Sequence, residues 1–154
     1  MEKQEIIQKA QAYFDEGYAC SQAILLSFAD HFLLDEETAK KISSTFGGGM
    51  GRLREKCGAI TGGFMVIGLA FGNSDPRDMK TKLAAYEKVR ELNRQVEMRL
   101  GTTKCAELLQ KKVTPEEIEK RKHHKIICRK VVGEVAGMLY EMIMNNSRIT
   151  ENID

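Results

Sequence analysis

The sequence has no tryptophan and only two prolines, and it lacks an apolar run long enough to span a membrane. Proline breaks helices, so its scarcity leaves most of the 154 residues open to helix formation. The longest apolar run, 59–71, falls short of the roughly 20 residues that a spanning helix needs. The charged start of the chain is unlike a secretory signal. We therefore expect a cytoplasmic protein with no segment inserted in a membrane.

Neither sign of charge is in excess. The chain carries 24 lysines and arginines against 22 aspartates and glutamates, for a formal net charge of +2. Proteins that are attracted to nucleic acid or to anionic lipid by their overall field carry a much larger basic excess. We therefore expect no nucleic-acid partner.

The chain has four cysteines, but the close spacings that define familiar cysteine sites are absent. No C-x-x-C occurs, which excludes the thioredoxin-type motif, the zinc knuckle and the ligand run of bacterial ferredoxins. Covalent haem attachment is excluded for the same reason. The four cysteines are Cys20, Cys57, Cys105 and Cys128. In a reducing cytoplasm, thiols this far apart in sequence favour metal binding or redox chemistry over structural disulfides.

The signatures of nucleotide binding and of serine hydrolysis are absent as well. The glycine-rich segment 47–51 matches neither the P-loop nor the dinucleotide-binding pattern, and no nucleophile elbow surrounds a serine. So many glycines instead favour a tight turn that packs beside the thiols. If a cofactor binds at this turn, Gly48, Gly49 and Gly58 are the candidate cofactor-binding residues.

Apolar residues recur at helical spacing along nearly the whole chain, and this pattern predicts an all-α fold. We expect a single domain over residues 1–154, built as a bundle of about six or seven helices, with a frayed polar tail over 145–154. The segment 57–72 carries almost no polar side chain on any face, which predicts a glycine-rich apolar helix at the centre of the bundle. Its glycines are expected to let neighbouring helices approach closely, at Gly58, Gly62, Gly63 and Gly68.

Capping residues and prolines predict where the other helices begin and end. The predicted starts are Lys3, Ala19 or Cys20, Asp35 as an N-cap, Asp75 with Pro76, Thr102 or Thr103 as an N-cap, and Thr114 with Pro115. The predicted ends include Glu16 before Gly17, Ser44, and Leu100 before Gly101. The inward-facing residues of the helix after Pro76 are predicted to be Leu83, Tyr86, Val89, Val96 and Leu100. Those of the last helix are Cys128, Val131, Val132, Val135, Leu139 and Met142.

Three of the cysteines fall in or next to the first turn of a predicted helix, where backbone amides and the helix dipole stabilise a thiolate. Cys57 is the strongest candidate because Arg52, Arg54 and Lys56 precede it and add positive charge. Free cysteine is also common in protein cores, so each thiol taken alone is explained by packing. All four together favour one thiol site assembled by the whole fold, with Cys20, Cys57, Cys105 and Cys128 as its catalytic residues.

These residues resemble those of a known family. Cys20, the motif C-G-A-x-x-G at 57–62, Cys105 and Cys128 are similar in order and approximate interval to the C_GCAxxG_C_C family, as is the glycine run that precedes the motif. The resemblance implies a small redox-active protein that works through its four cysteines and whose gene often lies near transporter genes. It also implies that some members carry selenocysteine in place of a cysteine, which favours chemistry over packing at these positions.

Three functions stay open at this point. The leading hypothesis is a thiol–disulfide oxidoreductase in which Cys57 attacks and Cys20 resolves, with an unknown redox partner that the resemblance links to transporters. The second hypothesis makes the same four thiolates the ligands of zinc or of an Fe–S cluster, in metal handling or electron transfer. The third is a helical scaffold or interaction protein whose cysteines only pack. The disulfide pairing and a homo-oligomeric state are likewise left open.

Overall fold

The computed structural model describes residues 1–110 and 122–151, and this part of the chain is almost entirely helical without a β-strand. Its helices are α1 (Lys3–Asp15), α2 (Cys20–Ala29), α3 (Glu36–Ser44), α4 (Gly58–Phe71), α5 (Met79–Leu100), α6 (Cys105–Leu109) and α7 (Lys122–Glu151). Two short turns add to these, a 3-10 turn at Asp30–Phe32 and a helical turn at Gly47–Met50. The predicted all-α bundle is confirmed.

Helix α4 lies at the centre of the bundle, as the sequence predicts. It packs against α2, α5 and α7, and most of its first ten residues are buried. Helix α7 covers both α1 and α4, and it buries the predicted face from Val131 to Met142. The amino ends of α2, α4 and α6 are therefore all held close to one region of α7.

Glycines explain how closely the neighbouring helices approach α4. A Cβ at Gly62 would lie 2.8 Å from the carbonyl oxygen of Ser21 on α2, and a Cβ at Gly63 would lie 2.8 Å from a methyl group of Leu92 on α5. The packing leaves no room for a side chain at either position. Gly68 was expected to pack in the same way, but a Cβ there would have no neighbour within 4 Å, so that expectation is wrong.

Several helix ends match the capping patterns in the sequence. The Asp35 carboxylate accepts a hydrogen bond from the amide of Thr38 at 2.9 Å and begins α3 as predicted. Gly17 and Gly101 follow α1 and α5 with φ values of +110° and +85°, which glycine adopts without steric cost.

The start of α5 was predicted wrongly. The helix begins at Met79 with Asp78 as its N-cap, whose carboxylate accepts from the amide of Thr81 at 3.1 Å. The carboxylate of Asp75 instead accepts from the amide of Arg77, which forms a local turn that competes with helix initiation. The later start goes with a different buried face: Leu83 and Tyr86, predicted to face inward, are exposed, whereas Ala85 and Leu92 are buried.

Further predictions concern helix boundaries in the second half of the chain. Lys104, rather than Thr102 or Thr103, is the N-cap residue of α6, although Cys105 does begin this helix. The helix predicted from Thr114 and Pro115 lies outside the described residues. Helix α7 reaches Glu151, and the fraying of the tail stays a prediction because 152–154 also lie outside them. Among the described helices, none is both long and apolar enough to cross a bilayer.

Candidate redox site formed by four cysteines

The four cysteines line one small cavity at the amino ends of α2, α4 and α6, against α7. Its volume is about 40 Å³, which holds no more than a few water molecules. The lining residues are Cys20, Gly48, Gly49, Arg54, Cys57, Gly58, Cys105, Leu108, Leu109, Ile127, Cys128 and Val131. The fold therefore brings together all four thiols, which are separated by as many as 108 positions in the sequence.

Each cysteine reaches the cavity from a different helix. Cys20 and Cys105 are the first residues of α2 and α6, and Cys57 directly precedes α4 as its N-cap residue. Cys128 lies within α7. All four are free thiols; three are buried and Cys128 is partly exposed. A reagent from solvent therefore meets Cys128 first.

A short backbone pairing fixes Cys57 and Cys105 relative to each other. Lys56 and Lys104 form an isolated antiparallel bridge, in which the amide of Cys57 donates to the carbonyl of Thr103 at 2.9 Å. The amide of Cys105 donates to the carbonyl of Glu55 at 2.7 Å. Side chains alternate between the two faces of extended chain, so both cysteines leave the bridge on the face opposite to the two lysines.

A left-handed turn leads into this bridge and places a cation in the site. Residues 48 to 52 all have positive φ, between 59° and 71°, and Arg54 follows with φ of 60°. Left-handed backbone costs roughly 1–2 kcal/mol at each non-glycine residue, so the strain at Met50, Arg52 and Arg54 is substantial. The turn is held by hydrogen bonds from the Arg54 amide to the Gly48 carbonyl at 3.3 Å and from the Glu55 amide to the Gly49 carbonyl at 3.0 Å.

The result of this turn is that the Arg54 guanidinium faces the thiols. Its Nη1 donates to Sγ of Cys105 at 3.6 Å, and its charge also acts on Cys128. The sequence pattern included Arg54 only as one of three cations before Cys57, and it gave no sign that Cys105 and Cys128 are the thiols it serves. Arg52, by contrast, is exposed.

The cavity glycines allow the backbone to approach the cysteines. A Cβ at Gly49 would lie 2.6 Å from Cβ of Cys105, and a Cβ at Gly58 would lie 3.0 Å from the carbonyl oxygen of Phe46 and 3.5 Å from Cβ of Cys20. Close packing thus explains why glycine is needed at positions 49 and 58. At position 48, glycine suits the left-handed φ of the turn. A cofactor-binding role for Gly48, Gly49 and Gly58 stays a prediction.

The thiols of Cys20 and Cys128 interact, and their pKa values shift in opposite directions. The interaction with Cys20 lowers the pKa of Cys128; the nearby charge of Arg54 lowers it further, against the effect of burial. The same interaction, followed by burial and the neighbouring thiols, raises the pKa of Cys20 well above its usual value. Cys128 is therefore favoured as the thiolate of the pair, with Cys20 as its protonated partner.

The structure gives no support to the prediction that a basic flank activates Cys57. Burial raises the pKa of the Cys57 thiol to about 12, and the amides of Ala59 and Ile60 counter only part of this rise without forming a capping hydrogen bond to the sulfur. The ammonium group of Lys56 points elsewhere, because it donates to Asn93 at 2.6 Å and to Thr103 at 3.0 Å. Cys57 is therefore held as a neutral thiol.

The side chains do not fit a metal site as they stand. In the described ranges, no group of three or more His, Cys, Asp or Glu side chains is arranged to hold a metal ion. Zinc and Fe–S ligation therefore have no geometric support among the described residues.

The match to known families agrees with this arrangement. A family model described as "Putative redox-active protein (C_GCAxxG_C_C)" matches residues 18–142, which include all four cysteines and the glycine turn. The chain belongs to this family. Membership confirms the resemblance drawn from the C-G-A-x-x-G motif and the cysteine spacing. Neither the curated proteins nor the solved structures searched contain a match to this chain. For this member of the C_GCAxxG_C_C family, the role of each cysteine is therefore inferred from its burial, its contacts and its pKa shift.

Proposed function

We propose that this protein is a dithiol–disulfide redox protein in which Cys128 is the attacking thiolate and Cys20 is the resolving thiol. The observation that supports this most directly is that both thiols line the same small cavity, where their interaction lowers the pKa of Cys128 and raises the pKa of Cys20. This assignment keeps Cys20 in the role expected from the sequence and moves the attacking role from Cys57 to Cys128.

Three further features support Cys128 as the attacking thiolate. It is the partly exposed thiol of the set, so an external disulfide reaches it first. Arg54 supplies positive charge near it, which favours its thiolate. A lowered pKa raises the thiolate fraction at a given pH, and the thiolate is the form that attacks a disulfide.

The chemistry that follows is thiol–disulfide exchange with a disulfide of general form R–S–S–R. The Cys128 thiolate attacks one sulfur of the reagent, forms a mixed disulfide and releases one thiolate, RS⁻, which takes a proton from water. The Cys20 thiol then loses its proton to water and attacks the Cys128 sulfur, which releases the second RS⁻. Two electrons pass from the two cysteines to the reagent, which leaves as two thiols. The reverse sequence reduces the Cys20–Cys128 disulfide.

Trapping the mixed disulfide tests these roles. In the Cys20→Ser variant the resolving thiol is gone, so oxidised glutathione should leave a stable glutathione adduct on Cys128, measured by peptide mass spectrometry. In the matched Cys128→Ser variant, Cys20 loses its interaction with Cys128 but stays buried, and burial still raises its pKa, so adduct formation on Cys20 should be at least tenfold slower. The wild-type protein should accumulate the Cys20–Cys128 disulfide instead of an adduct.

Two outcomes would overturn this proposal. One is an adduct that forms on Cys57 rather than Cys128 in the Cys20→Ser variant, which would restore the assignment made from the sequence. The other is a wild-type protein that forms no intramolecular disulfide at any ratio of oxidised to reduced glutathione, which would leave the four cysteines as packing residues.

A further inference from the structure

We infer that Cys57 and Cys105 form a second, inner redox couple, which is oxidised by transfer of the disulfide first made between Cys20 and Cys128. The protein then stores four electrons in two couples that share one cavity. This inference rests on the proposed function of Cys20 and Cys128, and it adds a pairing and an order of reaction that the proposed function does not require.

The backbone pairs Cys57 with Cys105. Each follows a lysine of the Lys56–Lys104 bridge, and the hydrogen bonds of that bridge include the amides of both cysteines. Alternation along extended chain sends their side chains to the same face, where both line the cavity. Cys20 and Cys128 come from other helices, and the bridge leaves Cys57 and Cys105 as the two thiols held side by side by the backbone.

The inner couple is shielded from reagents in solvent. The exposed fractions of Cys57 and Cys105 are only 6% and 7%, whereas Cys128 is partly exposed. Burial also keeps Cys57 neutral, with its pKa raised to about 12, and a neutral thiol is a poor nucleophile toward an external disulfide. A disulfide formed at Cys20 and Cys128, however, lies on the wall of the same cavity and needs no access from outside.

Arg54 connects the two couples. Its Nη1 contacts the Cys105 sulfur at 3.6 Å, and the same charge acts on Cys128. The guanidinium therefore stabilises negative charge on Cys105 when it attacks and on Cys128 when it leaves, since a stabilised thiolate is the better leaving group. The cavity of about 40 Å³ supplies free space for the sulfurs to shift during the exchange.

The transfer is balanced in bonds, protons and electrons within the protein. Cys105 loses its proton to cavity water and attacks the Cys20 sulfur of the outer disulfide, which breaks the Cys20–Cys128 bond and releases the Cys128 thiolate. Cys57 then loses its proton and attacks the Cys105 sulfur, which forms the Cys57–Cys105 disulfide and releases the Cys20 thiolate. The protons lost by Cys57 and Cys105 end on Cys20 and Cys128. The outer couple is thus reduced, the inner couple is oxidised, and no external reagent is consumed.

A time-resolved oxidation of the full chain tests the order. Reduced protein is mixed with excess oxidised glutathione, quenched with acid, alkylated and mapped by mass spectrometry. In the wild-type protein the Cys20–Cys128 disulfide should appear first, and the Cys57–Cys105 disulfide should follow until both are present. In Cys128→Ser the inner disulfide should form at least tenfold more slowly, because the outer disulfide that delivers it cannot form.

Control variants separate this effect from altered packing. Ile127→Ala disturbs the same turn of α7 at the cavity wall and leaves all four thiols, so it should keep the wild-type order of disulfides. Cys128→Ala serves if the serine variant does not fold, and it should slow the inner disulfide equally. An inner disulfide that forms at the wild-type rate in either Cys128 variant would overturn the relay.

The remaining outcomes also decide the question. If the outer disulfide forms in the wild-type protein but Cys57 and Cys105 stay reduced, the relay is wrong and the proposed function stands. If the outer disulfide never forms in the wild-type protein, the proposed function itself is wrong and the relay falls with it.

Discussion

Replacing Arg54 with methionine should slow the reaction of Cys128 with an aromatic disulfide reagent at pH 7 by about 3- to 10-fold. Arg54 is the cation whose charge lowers the pKa of the Cys128 thiol, as a smaller cause beside the interaction with Cys20. A nearby charge in this role is expected to shift the pKa by about half a unit to one unit, and below the pKa each unit changes the thiolate fraction tenfold. The rate is measured on the Cys20→Ser background, where Cys128 reacts without resolution by its partner.

The neighbouring arginine provides a matched control for this change. Arg52 lies in the same left-handed turn with a φ of 64°, but its side chain is exposed. Arg52→Met therefore imposes a similar change on the loop and should alter the rate less than twofold. Arg54→Lys keeps the charge and should recover most of the reactivity. Equal rates in Arg54→Met and Arg52→Met would contradict the assigned role of Arg54.

Replacing Gly62 with alanine should lower the free energy of unfolding by about 1–3 kcal/mol, as expected for a methyl group forced into a packed interior. The new Cβ would lie 2.8 Å from the carbonyl oxygen and 3.1 Å from Cα of Ser21, and backbone atoms cannot rotate away as a side chain can. Helix α2 would have to move away from α4, and Cys20 would move with it because it adjoins Ser21. Urea denaturation measures the loss.

Gly68 on the same helix provides the comparison. It is exposed, and a Cβ there would have no neighbour within 4 Å. Gly68→Ala should therefore raise the free energy of unfolding by about 0.5–1 kcal/mol, because alanine is the better helix former. If both alanine variants change stability in the same direction, the close α2–α4 approach at Gly62 is not what requires glycine in the C-G-A-x-x-G motif.

The fold was largely predictable because its signals are local or periodic. The apolar character of 58–71 on every face is enough to place α4 at the centre, and Asp35 and Gly101 mark helix ends by chemistry that acts within one turn. The start of α5 was missed for a local reason as well. Aspartate is a favoured N-cap residue, so both Asp75 and Asp78 could begin the helix. The Asp75 carboxylate is used in a turn with Arg77, and Asp78 is therefore the residue that caps α5.

The chemistry of the site was less predictable because it depends on contacts between distant segments. That four cysteines share a cavity was expected from their places on apolar helix faces, but sequence spacing carries no information on which sulfurs pair. The bridge between Lys56 and Lys104 that joins two of them is a backbone contact between segments 48 residues apart, which the sequence does not signal. The placement of Arg54 depends on a left-handed turn that includes three non-glycine residues, which no local preference predicts.

Cys57 shows why charge along the sequence was a poor guide to reactivity. Three cations precede it, yet its sulfur is buried, Lys56 bonds to Asn93 and Thr103, and Arg54 turns toward Cys105. Burial then dominates and raises the pKa of Cys57. Cys128, which has no motif around it, has the lowered pKa because helix packing places it beside Cys20 and Arg54.

The central claim is that Cys128, and not Cys57, is the thiolate of the site, and the most direct test is the pH dependence of alkylation at each cysteine. Reduced protein is treated briefly with iodoacetamide from about pH 5 to pH 10, and modification at each of the four positions is quantified by mass spectrometry. We predict that Cys128 becomes reactive at the lowest pH, and that Cys20 and Cys57 stay unreactive beyond the usual range of a free thiol. Alkylation of Cys57 ahead of Cys128 would contradict the account.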